Sequence, residues 1–180
     1  MRTIRTYLAI LSLLVTALYL RAGEPVRIDL GGEWEFRQSG DPMWRPANVP
    51  GCIHTDLLEQ GMIADPFYGR NEKSLQWIGE KDWEYRKTFY IDENVFSAVS
   101  NVWLVLEGVD TYATVSVNGL PVCETDNMFR TWRTDIKEFL KTGENELKIS
   151  FESVFRKDIP KYLDAPYRLQ AWPNNDQSDI

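Results

Sequence analysis

Histidine and cysteine are scarce in this sequence, and their scarcity limits the chemistry that it can perform. His54 is the only histidine among 180 residues, and the cysteines are Cys52 and Cys123. Zinc sites need several closely spaced Cys or His ligands, and neither that spacing nor a CxxC pair is present. A Ser-His-Asp or Cys-His catalytic group would have to use His54. We interpret His54 as a residue that stabilises its own loop, and we predict no metal site and no cofactor.

The two cysteines leave two alternatives open. In an oxidising compartment Cys52 and Cys123 can form one disulfide, although their separation in sequence does not fix the distance between the two sulfur atoms. Two cysteines are too few for the disulfide framework of a small secreted domain. Because cysteine is among the most buried residue types, we favour two buried free thiols.

Positive charge is also in short supply, and part of it lies in a separate segment at the amino terminus. "MRTIRTYLAILSLLVTALYLRAG" has Arg2 and Arg5, then an apolar run of about 14 residues, then Ala22 and Gly23. The run is short for a membrane span, which needs about 20 residues. We predict a secretory signal peptide over residues 1–22, with an uncleaved anchor as the alternative. The prediction implies a secreted or periplasmic location, or the lysosomal lumen in a eukaryote, without membrane association after cleavage.

The mature chain is more acidic than the whole sequence. The formal net charge is −7, and loss of the three arginines in residues 1–22 would move it to −10. A chain of this charge repels a phosphate backbone, so we predict no nucleic-acid partner. Motifs that bind phosphate are absent as well, since Gly31-Gly32 is followed by neither a helix nor a Lys-Ser/Thr pair.

The remaining sequence has the alternating pattern of an all-β protein. Apolar residues alternate with polar ones in "GEWEFRQ", "DWEYRKTFYI" and "NELKISF", and Asn118-Gly119 separates two further strand-like runs. Turn signals recur about every ten residues, and helical patterns are few. We predict six to eight short strands in an antiparallel β-sandwich of the jelly-roll or immunoglobulin type.

Several local predictions refine this pattern. We expect a short strand over residues 28–30, and a strand buried on both faces for "NVWLVLEGV". Thr55 is the expected N-cap of a helix of one or two turns that ends at Gly61. "DIKEFLKTGEN" predicts a helical turn that ends at Gly143. The loop "DPMWRPANVPG" contains three prolines, so it must be loop or edge strand.

Aromatic residues are abundant in the stretch "DPFYGRNEKSLQWIGEKDWEYRKTF", where they alternate with polar side chains. Rings next to polar groups are typical of a sugar site, and also of the rim of a β-sandwich. The strand residues Trp83, Tyr85, Phe89 and Trp103 are assigned to the core. The substrate-contact candidates lie in loops and are Trp44, Phe67, Tyr68, Asn71 and Trp77, although packing against the sandwich edge is the alternative for each.

Acidic residues in the same stretch are numerous enough for acid-base chemistry. Glycoside hydrolysis with retention needs two carboxyl groups about 5–5.5 Å apart, which spacing in a loop does not establish. We interpret the five acidic residues of the stretch as solvated or arginine-paired charges. These residues are Asp65, Glu72, Glu80, Asp82 and Glu84.

The order of these motifs resembles the amino-terminal region of β-mannosidases of glycoside hydrolase family two. The resemblance rests on "VPG" with His54, "DPFYGRNE", "QW" and "DWEY", and continues through "LEGVDTYATVSVNG" and "GENELKISF". It covers about residues 30–172, nearly all of the mature chain. The series is specific, because "DPFYGRNE" with "QW" and "DWEY" points to β-mannosidases rather than to β-galactosidases or β-glucuronidases.

The resemblance implies a jelly-roll, galactose-binding-like domain over residues 23–172, with residues 173–180 as the start of a link to further domains. In this family immunoglobulin-like domains and a (β/α)₈ barrel follow, and two glutamates of the barrel remove terminal β-mannose with retention. Neither glutamate region is present here, and Trp172 and Asp176 do not match the family's Trp-Asp-Trp-Gly motif. No catalytic residue is therefore carried over.

Three hypotheses follow for function. The chain is the amino-terminal domain of a β-mannosidase and is inactive alone, it is a stand-alone carbohydrate-binding module, or it is a structural domain that docks against a barrel. The expected partners are immunoglobulin-like and barrel domains of the parent enzyme, together with mannosides or manno-oligosaccharides.

Overall fold

Eight antiparallel strands in two sheets make up the fold, in a computed structural model that describes residues 25–167. The larger sheet has six strands in the order β2-β1-β3-β8-β5-β6, and β4 and β7 form the smaller one. The strands are β1 (Gly32–Gln38), β2 (Arg45–Val49), β3 (Trp83–Ile91), β4 (Trp103–Leu106), β5 (Tyr112–Val117), β6 (Leu120–Asp126), β7 (Trp132–Asp135) and β8 (Gly143–Phe151). The prediction of an all-β antiparallel sandwich is confirmed.

Short helices lie between the strands, and a longer one follows β8. They are α1 (Ile53–Glu59), α2 (Asn71–Ser74), α3 (Glu93–Ala98) and α4 (Val154–Asp164), with 3-10 turns at Gln76–Ile78 and Lys137–Phe139. None of the helices in residues 25–167 is long and apolar enough to cross a membrane. The predicted signal peptide, residues 1–22, and the predicted link, residues 173–180, lie outside the described residues.

The core lies between the two sheets and follows the period of two in the strands. Phe36 of β1, Val115 of β5 and Leu147 of β8 are fully buried on the inner face of the large sheet. Leu104 and Leu106 of β4 cover them from the small sheet and belong to the same apolar cluster. Each buried side chain of this size stabilises the fold by about 1.5–3 kcal/mol relative to its exposed state.

The smaller sheet corrects one prediction. β4 is not buried on both faces, since the side chains of Trp103 and Val105 are 55% and 45% exposed. Nothing within residues 25–167 packs on the outer face of this two-stranded sheet, so the alternate residues of its apolar run face solvent. The assignment of Trp103 to the core is therefore wrong.

The hairpin between β5 and β6 confirms the Asn-Gly signal. Asn118 and Gly119 have φ values of 50° and 83°, as a type I′ turn requires at both central positions. β2 carries Pro46 and lies at the edge of the large sheet, in agreement with the expectation for the proline-rich segment. A proline lacks the N–H that a second neighbouring strand would need.

Helix α1 begins earlier than predicted. Cys52, not Thr55, is the N-cap residue, and the Thr55 hydroxyl donates a hydrogen bond to the Cys52 carbonyl oxygen at 2.7 Å. Thr55 also accepts a hydrogen bond from the Cys52 N–H at 3.3 Å, which places it at the third helical position of a capping box. The end of the helix is as predicted, because Gly61 has a φ of 66° directly after the C-cap residue.

Three further elements differ from the sequence pattern. Residues 28–30 form no strand, because the large sheet begins its pairing at Gly32. The helical turn in "DIKEFLKTGEN" ends at Phe139, and Gly143 opens β8 instead. Helix α4 was not predicted; the hydroxyl of Ser153 caps it by accepting a hydrogen bond from Arg156 N–H at 3.3 Å.

Candidate functional site

The segment Asp65 to Asn71, here called the aromatic loop, is ordered by its own polar groups. Asp65 Oδ1 accepts a hydrogen bond from the Phe67 N–H at 2.9 Å, and the Asp65 carbonyl oxygen accepts from Asn71 Nδ2 at 2.9 Å. That carbonyl also accepts from the Tyr68 N–H at 3.1 Å. These bonds satisfy the backbone without a neighbouring strand, as in other turns that begin with aspartate.

The aromatic loop displays two rings to solvent. Phe67 is 97% exposed and Tyr68 is 78% exposed. A phenylalanine that is almost fully exposed gains nothing from the burial of its own domain, whereas an ordered loop can present it to another surface at low entropic cost. Of the five candidate residues, these two are available for contact with a ligand or another domain, and Asn71 shapes the loop that carries them.

Trp77 occupies a different environment from the two exposed rings. It is partly buried, packs against the apolar core, and its ring centroid lies 6.1 Å from that of Trp83 in a tilted arrangement. The 3-10 turn Gln76–Ile78 places it there, beside the start of β3. Trp77 therefore stabilises the sandwich edge, which is the alternative that the sequence left open.

Trp44, at the end of the loop between β1 and β2, lies against two cations. The guanidinium carbons of Arg37 and Arg86 are 4.3 and 4.2 Å from its ring centroid. Both arginines project from the outer face of the large sheet and are held by carboxylates of neighbouring strands. The cation-π contacts hold the indole over this face.

The ion pairs beneath Trp44 form a cross-strand polar cluster on β1, β3 and β8. Glu84 Oε2 accepts a hydrogen bond from Arg37 Nε at 2.6 Å, and Glu84 Oε1 accepts from Lys148 Nζ at 3.2 Å. Next to these pairs, Arg86 Nε of β3 donates a hydrogen bond to Glu35 Oε2 of β1 at 2.7 Å. Burial acts to raise the pKa of Glu84, but the hydrogen bonds from Arg37 and Lys148 outweigh it and hold the pKa below its ordinary value.

A polar cleft of about 510 Å³ lies beside this cluster, where β1 ends and helix α4 begins. Its walls are formed by Gln38, Ser39, Glu80, Lys81, Asp82 and Arg156. Asp82 is paired with Arg156 and also accepts a hydrogen bond from the Ser153 N–H at 2.8 Å. Although burial acts to raise the pKa of Asp82, these donors keep it below its usual value. Of the two carboxylates in the cleft walls, Asp82 therefore stays ionised, with its charge balanced by Arg156.

The acidic residues of the aromatic stretch behave as surface and ion-pair charges. Asp82 and Glu84 are paired with basic side chains, as predicted, and Asp65 orders its own loop. Within the described residues, no three His, Cys, Asp or Glu side chains are grouped so that they could hold a metal ion. The pKa values of Asp82 and Glu84 are both lowered, whereas an acid-base pair of carboxyl groups has pKa values that are shifted apart.

His54 and the cysteines lie near the surface. His54 is exposed to solvent on helix α1, so the interpretation that it stabilises its own loop is wrong. Both thiols are free, which agrees with the favoured alternative, but Cys52 is exposed and Cys123 is half-buried. The prediction that both are buried is therefore wrong, because Cys52 caps a surface helix and Cys123 lies on β6, the edge strand of the large sheet.

Asp56 is a buried residue that the sequence analysis missed. Its side chain is 1% exposed and accepts hydrogen bonds from the Tyr85 hydroxyl at 2.6 Å and the Asn48 N–H at 3.2 Å. Burial, followed by the bond to Asp56, raises the pKa of Tyr85, so the phenol stays protonated and remains a donor. The signal available in sequence was an aspartate in the first turn of a helix with an apolar neighbour at Leu57.

The polar cluster around Glu84 was also missed. Its sequence signal is an alternation of opposite charges in β1, β3 and β8, in "EWEFR", "EYR" and "ELK". Alternate residues share one face of a strand, so neighbouring strands of this composition place opposite charges side by side. Asp82 and Arg156, by contrast, are far apart in sequence and gave no signal.

Comparison with known proteins places this geometry in a family. The sequence model described as "Glycosyl hydrolase 2 galactose-binding domain-like" matches residues 34–180. Beta-mannosidase B of Thermothelomyces thermophilus is 39% identical over 161 residues, covering 86% of this chain and 18% of that protein. Beta-mannosidase of Bos taurus is 38% identical over 132 residues, covering 73% of this chain and 15% of that protein.

A solved structure agrees with the sequence relatives. The crystal structure of the β-D-mannosidase from Dictyoglomus thermophilum matches 82% of this chain with a TM-score of 0.77 and 41% identity. The match covers 18% of that chain, so the present sequence spans less than a fifth of the length of these relatives. The chain belongs to the glycosyl hydrolase 2 galactose-binding domain-like family, and it is similar in sequence and fold to one domain of known β-mannosidases.

Proposed function

We propose that this chain serves as the scaffold and docking domain of a longer β-mannosidase and has no hydrolytic activity alone. The parent enzyme removes terminal, non-reducing β-D-mannose residues with retention, and its immunoglobulin-like and barrel domains supply the reacting groups. The observation that carries the proposal is the match to a β-D-mannosidase at 41% identity and a TM-score of 0.77, which covers only 18% of that chain.

The electrostatics of the domain support the absence of catalysis. A retaining glycosidase needs a carboxylic acid whose pKa is raised, so that it is protonated when it meets the leaving group. In residues 25–167, the carboxyl groups whose pKa clearly departs from its ordinary value all have a lowered pKa, and they are Asp41, Asp82, Glu84, Asp135 and Asp158. Such groups stay ionised at neutral pH and suit ion pairs and caps rather than proton donation.

The activity test compares three proteins on an aryl β-mannoside. One is this chain, the second is the Dictyoglomus thermophilum β-D-mannosidase, and the third is that enzyme with its matching domain replaced by this chain. We expect release of the aryl group by the second and third proteins and none by the first. Release by this chain alone would overturn the proposal, and a folded chimera that has lost all activity would argue against the docking role.

The aromatic loop is the surface that we assign to docking. Phe67 and Tyr68 project from a loop that is hydrogen-bonded within itself, and Phe67 carries no polar group that would favour its exposure. Large rings that are rigidly displayed and readily desolvated are typical anchors of protein interfaces. In the parent enzyme they would be buried against a neighbouring domain of the same polypeptide.

Sugar binding is the second candidate function, and the same two rings favour it. Mannosides or manno-oligosaccharides would stack on Phe67 or Tyr68, with the Tyr68 hydroxyl as a hydrogen-bonding partner. Titration calorimetry of this chain with mannose and with a manno-oligosaccharide separates the candidates. Heat that disappears in a Tyr68→Ala variant would establish a carbohydrate-binding module. No heat at millimolar ligand would leave docking as the role of the loop.

We also infer that the chain is exported, from the predicted signal peptide over residues 1–22. The expected location is extracellular or periplasmic, or the lysosomal lumen in a eukaryotic host. Expression in a secreting host followed by amino-terminal sequencing of the exported protein tests this. A new amino terminus near Gly23 would support the inference, whereas retention of Met1 in a membrane fraction would indicate an anchor.

A further inference from the structure

The hairpin turn between β5 and β6 contains the only Asn-Gly pair in the sequence, Asn118-Gly119. This pair is chemically labile as well as suited to a type I′ turn, because glycine leaves the following backbone nitrogen unhindered. In the reaction, Gly119 N attacks Cγ of Asn118 and gives up its proton, and Nδ2 leaves as ammonia. Water then opens the resulting succinimide to aspartate or isoaspartate, so no oxidant or other co-reactant is needed.

The fold holds the reacting amide in place with three hydrogen bonds. Asn118 Nδ2 donates to the carbonyl oxygen of Phe139 at 2.8 Å and to Asn145 Oδ1 at 2.8 Å. Asn118 Oδ1 accepts from the Glu146 N–H at 3.1 Å. Both hydrogens of the leaving amide are therefore engaged, and rotation of Cγ towards Gly119 N would have to break this set.

The direction of each bond is fixed by the neighbouring Asn145, whose side chain is 1% exposed. Its Oδ1 also accepts from the Lys141 N–H at 2.9 Å, while its Nδ2 donates to the carbonyl oxygens of Lys141 and Gly143 at 2.7 and 3.0 Å. A flipped amide would place donor against donor and acceptor against acceptor. Asn145 Oδ1 must therefore face Asn118, and the group that it meets there must be a donor.

Conversion of Asn118 to a carboxylate is incompatible with this arrangement. The oxygen that replaces Nδ2 would face two acceptors, Phe139 O and Asn145 Oδ1, without a hydrogen to share. Asn145 cannot turn to help, because its own amide is committed to Lys141 and Gly143. A hydrogen-bond acceptor that is removed from water and faces only other acceptors destabilises the folded state. The isoaspartate product would also lengthen the backbone within a two-residue turn.

We propose that Asn118 is a deamidation site gated by folding. The native hydrogen bonds protect the amide, opening of the hairpin exposes it to attack by Gly119 N, and the product cannot re-form the native contacts. Modification then marks, irreversibly, those chains whose β5–β6 hairpin has opened. The inference is independent of the proposed activity, since it depends only on Asn118, Asn145 and their backbone partners.

The rate measurement compares folded and unfolded chain. Samples are held at mildly alkaline pH with and without denaturant, and Asp and isoAsp at position 118 are quantified by peptide mapping. If reaction requires opening, the native rate is the unfolded rate multiplied by the open fraction, so we expect at least about a tenfold lower rate in the folded chain. Equal rates in both states would overturn the proposal.

Two variants separate the turn from the side-chain contacts. Asn118→Gly keeps a residue that tolerates positive φ but removes the amide, whereas Asn118→Asp mimics the product and adds the clash of acceptors. We expect both melting temperatures to fall below that of the unmodified chain, with Asn118→Asp the lower. An Asn118→Asp chain at least as stable as Asn118→Gly would contradict the incompatibility of the product. If Asn118→Asp does not fold while Asn118→Gly does, the acceptor clash, and not the loss of the amide, is the cause.

Discussion

The aromatic loop and strand β3 contain the same kinds of residues and place them in opposite environments. In the loop, Asp65 and Asn71 satisfy the backbone locally, and Phe67 and Tyr68 are left in solvent. In β3, the backbone pairs with β8 along the strand and with β1 from Trp83 to Arg86, and the rings on its inner face, Trp83, Tyr85 and Phe89, pack against the core. The location of the backbone partners, rather than the residue types, decides which rings serve the core and which are free for contacts.

This difference divides one continuous stretch of sequence into a part that stabilises the domain and a part that is available to other molecules. Trp83, Tyr85 and Glu84 in β3 each have partners within the domain, whereas the rings of the aromatic loop are largely exposed. Substitutions in the two parts should therefore separate stability from recognition.

Substitution of Trp83 by alanine should have the largest effect. Trp83 is 6% exposed, packs against Phe36 and Trp77, and donates its indole N–H to the Ile78 carbonyl oxygen at 3.0 Å. We expect the free energy of unfolding to fall by about 3–5 kcal/mol, measured by urea denaturation. Trp83→Phe is the control, which keeps most of the packing and loses the hydrogen bond. A loss below about 1 kcal/mol for Trp83→Ala would show that β3 is not part of the core.

Removal of the Tyr85 hydroxyl should have the next largest effect. In Tyr85→Phe, the buried Asp56 carboxylate loses its 2.6 Å donor and keeps only the Asn48 N–H. We expect a loss of about 2–3 kcal/mol, because a buried acceptor is left poorly paired. The double variant with Asp56→Asn should recover part of this loss in a double-mutant cycle. Losses that simply add would show that the two side chains are not coupled.

Glu84→Gln should reduce stability by about 1–2 kcal/mol at pH 7, since it removes a carboxylate that pairs with Arg37 and Lys148. The side chain of Glu84 is 11% exposed, so solvent screens these pairs only in part. The matched control is Glu124→Gln on the exposed part of β6, which we expect to change stability by less than about 0.5 kcal/mol.

The same variant has a defined dependence on pH. The pKa of Glu84 in the folded chain is lower than in the unfolded chain, so its contribution is complete above the unfolded pKa, about 4.3. As pH falls through the lower, folded pKa, the unmodified chain also becomes protonated at this site. The difference in stability between Glu84→Gln and the unmodified chain should therefore shrink below about pH 4. If the stability difference between the two proteins grows as pH falls, the pKa of Glu84 is not lowered by folding.

Sequence patterns predicted the sandwich and its hairpin, because alternation and Asn-Gly are local signals. They failed to predict burial where the exposure of a side chain depends on which other segment packs over its strand. "NVWLVLEGV" is largely apolar, yet Trp103 is exposed because nothing within residues 25–167 covers the outer face of the small sheet. The burial of Trp77 and the contacts of Trp44 with Arg37 and Arg86 likewise depend on segments that are remote in sequence or on another strand. The exposure of Phe67 and Tyr68 could be predicted, because the sequence places them in a loop. The surface that they contact could not, because it belongs to another molecule or domain.

The aromatic loop should give the smallest effect on stability and the clearest effect on recognition. Phe67→Ala and Tyr68→Ala remove rings that touch little of their own domain, so the free energy of unfolding should change by less than about 0.5 kcal/mol. In the chimera with the Dictyoglomus thermophilum enzyme, the same variants should lower the melting temperature, because there the rings would be buried against a neighbouring domain. Phe129→Ala, in a ring that is 91% exposed on a different loop, is the matched control. If Phe67→Ala and Phe129→Ala lower the melting temperature of the chimera equally, the aromatic loop has no specific role in docking. An effect confined to Phe67→Ala and Tyr68→Ala would identify this loop as the contact through which the domain recognises the rest of the enzyme.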